Sequence, residues 1–277
     1  LAGCGSKSAE APTVKAPTGT YIGHEVDGVQ EFLGIRYADP AERWKAAPAL
    51  TTTAEDEFVC DDWGPCCIQP YDEVETASQG ELSDDCLNLN IWTKDVNTKN
   101  KPVLIFIHGG SFMNGGAHDP LYTGNNFIKN VPEGEDAVYV SINFRTNIFG
   151  SIDLSQIPGY SEEYADAINL WMLDQIQACK WVNENIEAFG GDPGNVTVSG
   201  QSSGGMSAFY LLSKPETHKY FQKVIIDSGA PFFAQTTKNI KEESAQMAFE
   251  AMEINSIEEF LELSNDELKE KISAVFD

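Results

Sequence analysis

The chain has 277 residues, and its 18 Lys and Arg stand against 43 Asp and Glu, a net charge of −25 at pH 7. So negative a surface excludes a generic nucleic-acid binder, which needs a basic footprint for phosphates, and an anionic leaflet would repel it, so membrane attachment would need something other than charge. With 42% apolar residues, 23 Gly and 13 Pro the composition is that of an ordinary globular chain, and no apolar run is long enough to span a bilayer.

The first four residues, Leu1-Ala2-Gly3-Cys4, do not begin with Met and resemble the lipobox of bacterial lipoproteins. There a signal peptide is removed before a Cys, and that thiol and the new amine are acylated. The resemblance implies that Cys4 is lipidated, that more than one acyl chain gives stable anchoring, and that the protein is extracytoplasmic, held to a bacterial cell membrane. Residues 5–18, rich in Ser, Lys, Ala, Pro, Thr and Gly, read as a flexible tether, followed by one folded domain over 19–277. Five Cys remain for that domain, an odd number that leaves at least one unpaired within the chain.

Residues 20–37 partly alternate around Asp27-Gly28, a dipeptide that supplies positive φ for a two-residue turn, and predict an antiparallel hairpin. Residues 87–92 alternate and predict a half-buried strand, whereas 103–107 and 137–142 are mostly apolar and predict strands buried on both faces. From Tyr164 to Phe189 apolar residues recur at three- and four-residue steps, giving one long amphipathic helix ended by Gly190-Gly191-Asp192-Pro193. A short strand over 196–199, a helix through Met206, Phe209, Tyr210 and Leu212, and a buried strand at 224–226 follow. This alternation predicts an α/β fold with a central, mostly parallel sheet flanked by helices. Beyond Thr236 the chain turns acidic and helical, with Met247, Phe249, Met252, Phe260 and Leu261 available for packing.

Gly200-Gln201-Ser202-Ser203-Gly204 fits the nucleophile elbow G-x-S-x-G, with a strand before it and a helix after it; Ser203 as centre would need Gly at 201. Gly is required at the flanks because the turn is too tight for a Cβ, and the central Ser is forced into a strained, exposed position. His108-Gly109-Gly110-Ser111-Phe112, just after a buried strand, matches an oxyanion loop, in which small residues let backbone N–H groups approach a substrate oxygen. The N–H of Ser203, following the nucleophile, would be a further donor. No phosphate-binding loop motif competes with this reading.

Further motifs extend the pattern in order: Gly34-Ile35-Arg36-Tyr37-Ala38 with Arg43-Trp44 and Pro48, Asp84-Asp85-Cys86-Leu87-Asn88-Leu89-Asn90, Asn143-Phe144-Arg145, Asp174-Gln175, and Trp181-Val182 with Asn185-Ile186. Together they resemble the type B carboxylesterase family, the cholinesterase-like branch of the α/β-hydrolases, over nearly all of 19–231. The resemblance implies that Ser202 is the nucleophile and that the N–H groups of Gly110, Ser111 and Ser203 form the oxyanion hole, with Gly109 shaping the loop. It implies structural ion pairs between Arg43 and Asp84 and between Arg145 and Asp174; the place of Asp174 in the apolar stripe of the long helix itself points to a paired, buried carboxylate. It also implies a Cys67–Cys86 disulfide, worth about 3 kcal/mol on chain-entropy grounds, and leaves Cys60, Cys66 and Cys179 without assigned partners.

The family's triad places an acid and a His far downstream of the Ser. Here His24, His108 and His118 precede Ser202, and His218 follows the elbow helix too closely, so no base is assigned. The expectation is an amino-terminal part of a longer parent, inactive by itself. Gln201 stands where the family commonly has Glu, and no Trp lies between Cys67 and Cys86 to stack on a quaternary ammonium, which points to small uncharged esters rather than choline esters. Trp171 occupies a position where the family tends to have Gly. No cofactor and no metal are expected, His108 and His118 lacking metal-ligand spacing. The rival reading is a non-catalytic binding or adhesion lipoprotein on the same fold.

Overall fold

The structure, a computed structural model, describes residues 11–70, 80–132, 134–229 and 238–275; the lipobox and its Cys4 lie outside them. The first described element is β1 (Thr13–Ala16), which pairs antiparallel with β2 (Gly19–Ile22). Val14 and Ala16 point inward and are buried, so the second half of the expected tether is a strand of the domain. Composition suggested a linker because the burying partners, Tyr21 opposite Val14 and the Gly19 edge opposite Ala16, lie beyond the turn.

Asp27 and Gly28 take φ of 53° and 80° and turn β3 (His24–Val26) back onto β4 (Val29–Arg36) with Val26 opposite Val29. Two consecutive positive φ values are what a twisted two-residue hairpin loop needs. Next come β5 (Glu57–Val59), parallel to β2, and the short parallel pair β6 (Cys66–Cys67) and β7 (Leu82–Ser83). The main sheet then gains β8 (Asn88–Thr93), β9 (Lys101–Ile107), β10 (Val138–Ile142), β11 (Gly191–Gln201) and β12 (Lys223–Asp227).

Seven strands form this sheet in the order β12-β11-β9-β10-β8-β4-β3. Pairs β12/β11, β11/β9 and β9/β10 are parallel, whereas β10/β8, β8/β4 and β4/β3 are antiparallel. The sheet is therefore mixed rather than mostly parallel, because β8 runs antiparallel to β10 and the β4/β3 hairpin continues that alternation beyond it. On one face Trp92, Tyr139, Leu104 and Phe106 pack with Ile128 of helix α1 (Gly124–Lys129). On the other, Ile91, Val140, Ile105 and Val198 join the main core.

That core is completed by the short helix α2 (Asn147–Gly150), by α3 (Leu170–Asn185) and by α4 (Ser203–Leu212). The long helix expected from Tyr164 to Phe189 is split: Glu162–Asn169 winds as a 3-10 helix, and only from Leu170 does the α-helix begin. Both windings bring residues three apart onto nearly one face, so the periodicity did not separate them. The following strand is longer than expected, its register shifting between Gly191 and Val196.

Two strands differ in burial from the sequence reading. All six residues of β8 are buried, since both neighbours are strands and both faces are covered; Asn90 is satisfied there by Gly34 N–H (2.9 Å) and Ser141 Oγ (3.2 Å). Conversely β12 is the last strand of the sheet, and Ile225 and Ile226 are 52% and 40% exposed. The acidic end forms α5 (Lys238–Ala251), α6 (Ile257–Leu261) and α7 (Asn265–Ile272). Phe249, Met252 and Phe260 are buried, Phe260 stacking on Trp44 at 4.1 Å, while Met247 and Leu261 stay exposed.

Candidate active site

The strand-to-helix turn between β11 and α4 is built by exclusion of side chains. A Cβ on Gly200 would lie 2.3 Å from the Gly204 carbonyl, and one on Gly204 would lie 2.0 Å from the Ile107 oxygen. Only Gly permits these backbone approaches. Between them Ser202 adopts φ 56° and ψ −121°, a conformation costing about 1–3 kcal/mol for a residue with a Cβ. The surroundings hold it there: Ser202 N–H donates to the Asp227 carbonyl at 2.9 Å, and Met206 N–H donates to the Ser202 carbonyl at 3.0 Å. The Ser202 side chain remains partly exposed.

The expected oxyanion loop follows β9 and lies directly against this turn. A Cβ on Gly109 would meet Gln201 Oε1 at 2.9 Å and Ser202 Cβ at 3.3 Å, so the loop backbone runs close beside the serine with no room for a side chain between them. Gly110 takes φ 102°, where a Cβ would strike the Asn114 oxygen at 2.2 Å. Ser111 and Phe112 follow at φ 56° and 62°. No described acceptor takes the N–H groups of Gly110, Ser111 or Ser203; that of Ser203 is free because it belongs to the first turn of α4. Backbone donors left over beside a strained serine are what a tetrahedral oxyanion requires.

Two residues that sequence reasoning missed hold the loop. Gln69, buried just after β6, accepts the Gly115 N–H at 2.7 Å and donates to the Gly115 carbonyl at 3.1 Å. Asn147, at φ 45°, donates its backbone N–H to the Phe112 carbonyl at 2.6 Å and its Nδ2 to the Met113 carbonyl at 3.1 Å. The only sequence signal for Gln69 was an amide directly after an apolar Cys66-Cys67-Ile68 run.

None of the four histidines hydrogen-bonds Ser202. His24 faces Glu31 at 3.5 Å, His118 Nδ1 sits 3.1 Å from Cys66 Sγ, and His218 Nε2 meets the Leu212 carbonyl at 2.8 Å. His108 stacks on Phe144 at 4.5 Å with Nδ1 2.8 Å from the Gly109 carbonyl. Burial pulls its pKa down to about 4, so it stays neutral and structural. Among the described residues the strained serine and the open backbone donors thus lie together with no histidine hydrogen-bonded to the serine.

Residues 10–275 match the carboxylesterase family. The chain belongs to that family. It is 43% identical over 217 residues to the para-nitrobenzyl esterase of Bacillus subtilis strain 168, an alignment covering 76% of this chain and 42% of that protein. It is 31% identical over 245 residues to the phenmedipham hydrolase of Pseudarthrobacter oxydans, covering 85% and 46%. Among solved structures a Geobacillus stearothermophilus carboxylesterase superposes with a TM-score of 0.82 at 33% identity, over 95% of this chain and 53% of that one. The fold is that of the α/β-hydrolases, and the chain spans about half the length of the relatives it matches.

Both ion pairs expected of a carboxylesterase form. Arg145 grips Asp174 with Nε to Oδ2 at 2.8 Å and Nη2 to Oδ1 at 2.6 Å, both side chains buried. Burial alone would lower the guanidinium pKa, but the adjacent carboxylate more than offsets this and raises it. Arg43 Nε reaches Asp84 Oδ2 at 2.8 Å, and its Nη1 also donates to the Leu263 carbonyl at 2.6 Å, tying the acidic helices to the sheet. The expected Cys67–Cys86 disulfide is not formed. Both are buried free thiols, and a hydrogen bond with Cys67, with burial, holds the Cys86 thiol well above the ordinary range. The two thiols influence each other's ionisation as neighbours without a covalent bond. Cys60, Cys66 and Cys179 are likewise buried free thiols.

Proposed function

We propose that the full-length protein is a serine carboxylic ester hydrolase of small uncharged esters, working through an acyl-enzyme on Ser202. The observation that carries this reading is the close approach of the Gly109 backbone to the strained Ser202, beside three N–H groups that no described acceptor takes. Ser202 Oγ attacks the ester carbonyl carbon and gives its proton to a base; the oxyanion is held by the N–H groups of Gly110, Ser111 and Ser203. Collapse expels the alcohol, which takes the proton, and water then hydrolyses the acyl-serine. The base and its acid partner come from the half of the protein that the relatives have and this chain does not span. The name para-nitrobenzyl esterase, carried by a 43% identical relative, supports a neutral ester as substrate.

The Leu1-Ala2-Gly3-Cys4 sequence supports a lipid anchor at Cys4 and an extracytoplasmic place on a bacterial membrane, where oxidation would join Cys67 to Cys86. Intact-mass analysis without acyl adducts on Cys4 would remove the anchor, and a non-reducing peptide map with both thiols free would remove the disulfide. The activity is tested by p-nitrophenyl acetate hydrolysis with the full-length protein beside Ser202→Ala. Turnover that disappears in the variant is expected; turnover that survives, or none in the parent, overturns the esterase reading, the latter in favour of a binding protein.

A further inference from the structure

Two adjacent residues of the oxyanion loop, Ser111 and Phe112, carry side chains at φ 56° and 62°, each a conformation that persists only where surroundings enforce it. Hydrogen bonds from Asn147 fix the carbonyls of Phe112 and Met113. The Phe112 ring has a separate support: its centroid lies 4.7 Å from that of Trp171, the second residue of α3. Trp171 also meets Tyr210 edge-on at 5.9 Å. Tyr210 belongs to α4, the helix whose N-cap is Ser202. The indole therefore bridges the oxyanion loop and the helix that begins at the nucleophile. Its own mounting is stiff, since α3 is locked by the Asp174 pair with Arg145 and by Gln175 Nε2 donating to Ser207 Oγ of α4 at 3.1 Å.

We propose that Trp171 is a positioning residue for ester hydrolysis: it props Phe112, and with it the Ser111 N–H, at a fixed height over Ser202. The role rests on the esterase reading above. Trp171 touches no reacting atom; it acts through Phe112 on a donor whose value depends on sub-ångström placement.

The test uses the full-length protein with p-nitrophenyl acetate and a short-chain boronic acid, which forms a tetrahedral adduct on the serine. Trp171→Ala is expected to lower kcat about ten- to a hundredfold, to leave KM within about twofold, and to weaken the boronic acid by the factor lost in kcat. Trp171→Phe, which keeps an aromatic plate, is expected to recover most of both. Should the Ala variant fail to fold, Trp171→Leu fills the space without the plate and is expected to show the same split. Unchanged kcat and boronic acid affinity with only a lower Tm would make Trp171 a space filler and overturn the role. A change confined to KM would make it a pocket wall and overturn it too. Absence of Ser202-dependent turnover in the parent would instead overturn the esterase reading, and this role with it.

Discussion

The elbow at Ser202 and the loop from His108 to Gly115 face each other across the candidate site, yet different forces hold them. Around the elbow, Gly200, Gly204 and Gly205 leave less than 3 Å between a hypothetical Cβ and neighbouring backbone, so its shape is fixed by excluded volume. Along the loop only Gly110 and Gly115 are so confined; Ser111 and Phe112 have side chains, and Gln69, Asn147 and Trp171 hold Gly115, Met113 and Phe112 through contacts that single substitutions can remove. The shape of the elbow is therefore all-or-none in this fold, while that of the loop is graded.

Gly204→Ala should break the steric side most severely. Its Cβ would fall 2.0 Å from the Ile107 oxygen and 2.7 Å from the His108 oxygen, so failure to fold or a loss of about 4 kcal/mol or more is expected. Urea unfolding within about 1 kcal/mol of the parent would show that the turn yields. Asp174→Ala tests the brace under the loop: it strands Arg145, whose chain leads through Thr146 to Asn147, and should cost about 3–5 kcal/mol. Adding Arg145→Met should return much of that loss, since the penalty is an unpaired buried charge.

His108 separates the two sides by pH. Its folded pKa is depressed to about 4 by burial against about 6.5 unfolded, so the unfolded chain binds the extra proton between those values. Stability should fall as pH drops from about 6.5 to 4 by up to about 3 kcal/mol and level off below. His108→Gln should flatten that part of the profile; an identical slope in both proteins would assign the acid loss elsewhere. Gln69→Leu, the mildest change, removes two hydrogen bonds to Gly115 and should cost about 1–3 kcal/mol while lowering kcat more than it raises KM.

The elbow and the Gly-rich loop were legible in the sequence, and the side chains that support the loop were not. Gly200, Gly204 and Gly109 announce themselves because the chemistry that needs them is local to five residues, and the Asp27-Gly28 hairpin was readable for the same reason. Gln69 and Asn147 act across gaps of dozens of residues, and no local pattern marks an amide that will find a backbone partner. The same blindness produced the errors in the sheet. Asn88 and Asn90 looked solvent-facing by alternation, yet Asn143 Nδ2 donates to Asn88 Oδ1 at 3.0 Å and Ser141 pairs with Asn90, so both amides are paid for inside. An apolar run shows that a strand can be buried and says nothing of its place in the strand order; residues 224–226 read as a buried strand and lie at the margin.

That marginal strand bears on how the chain behaves in solution. Among the described residues β12 pairs only with β11, leaving a row of backbone donors and acceptors open beside two exposed isoleucines. Such a border is a template for intermolecular strand pairing. Opposing it are the charges of Lys223 and Asp227 at its two ends and the net charge of −25, which keeps copies apart at low salt. The 277-residue chain handled by itself should therefore be colloidally stable in dilute buffer and should cluster as salt screens that repulsion, a solubility pattern written into one strand.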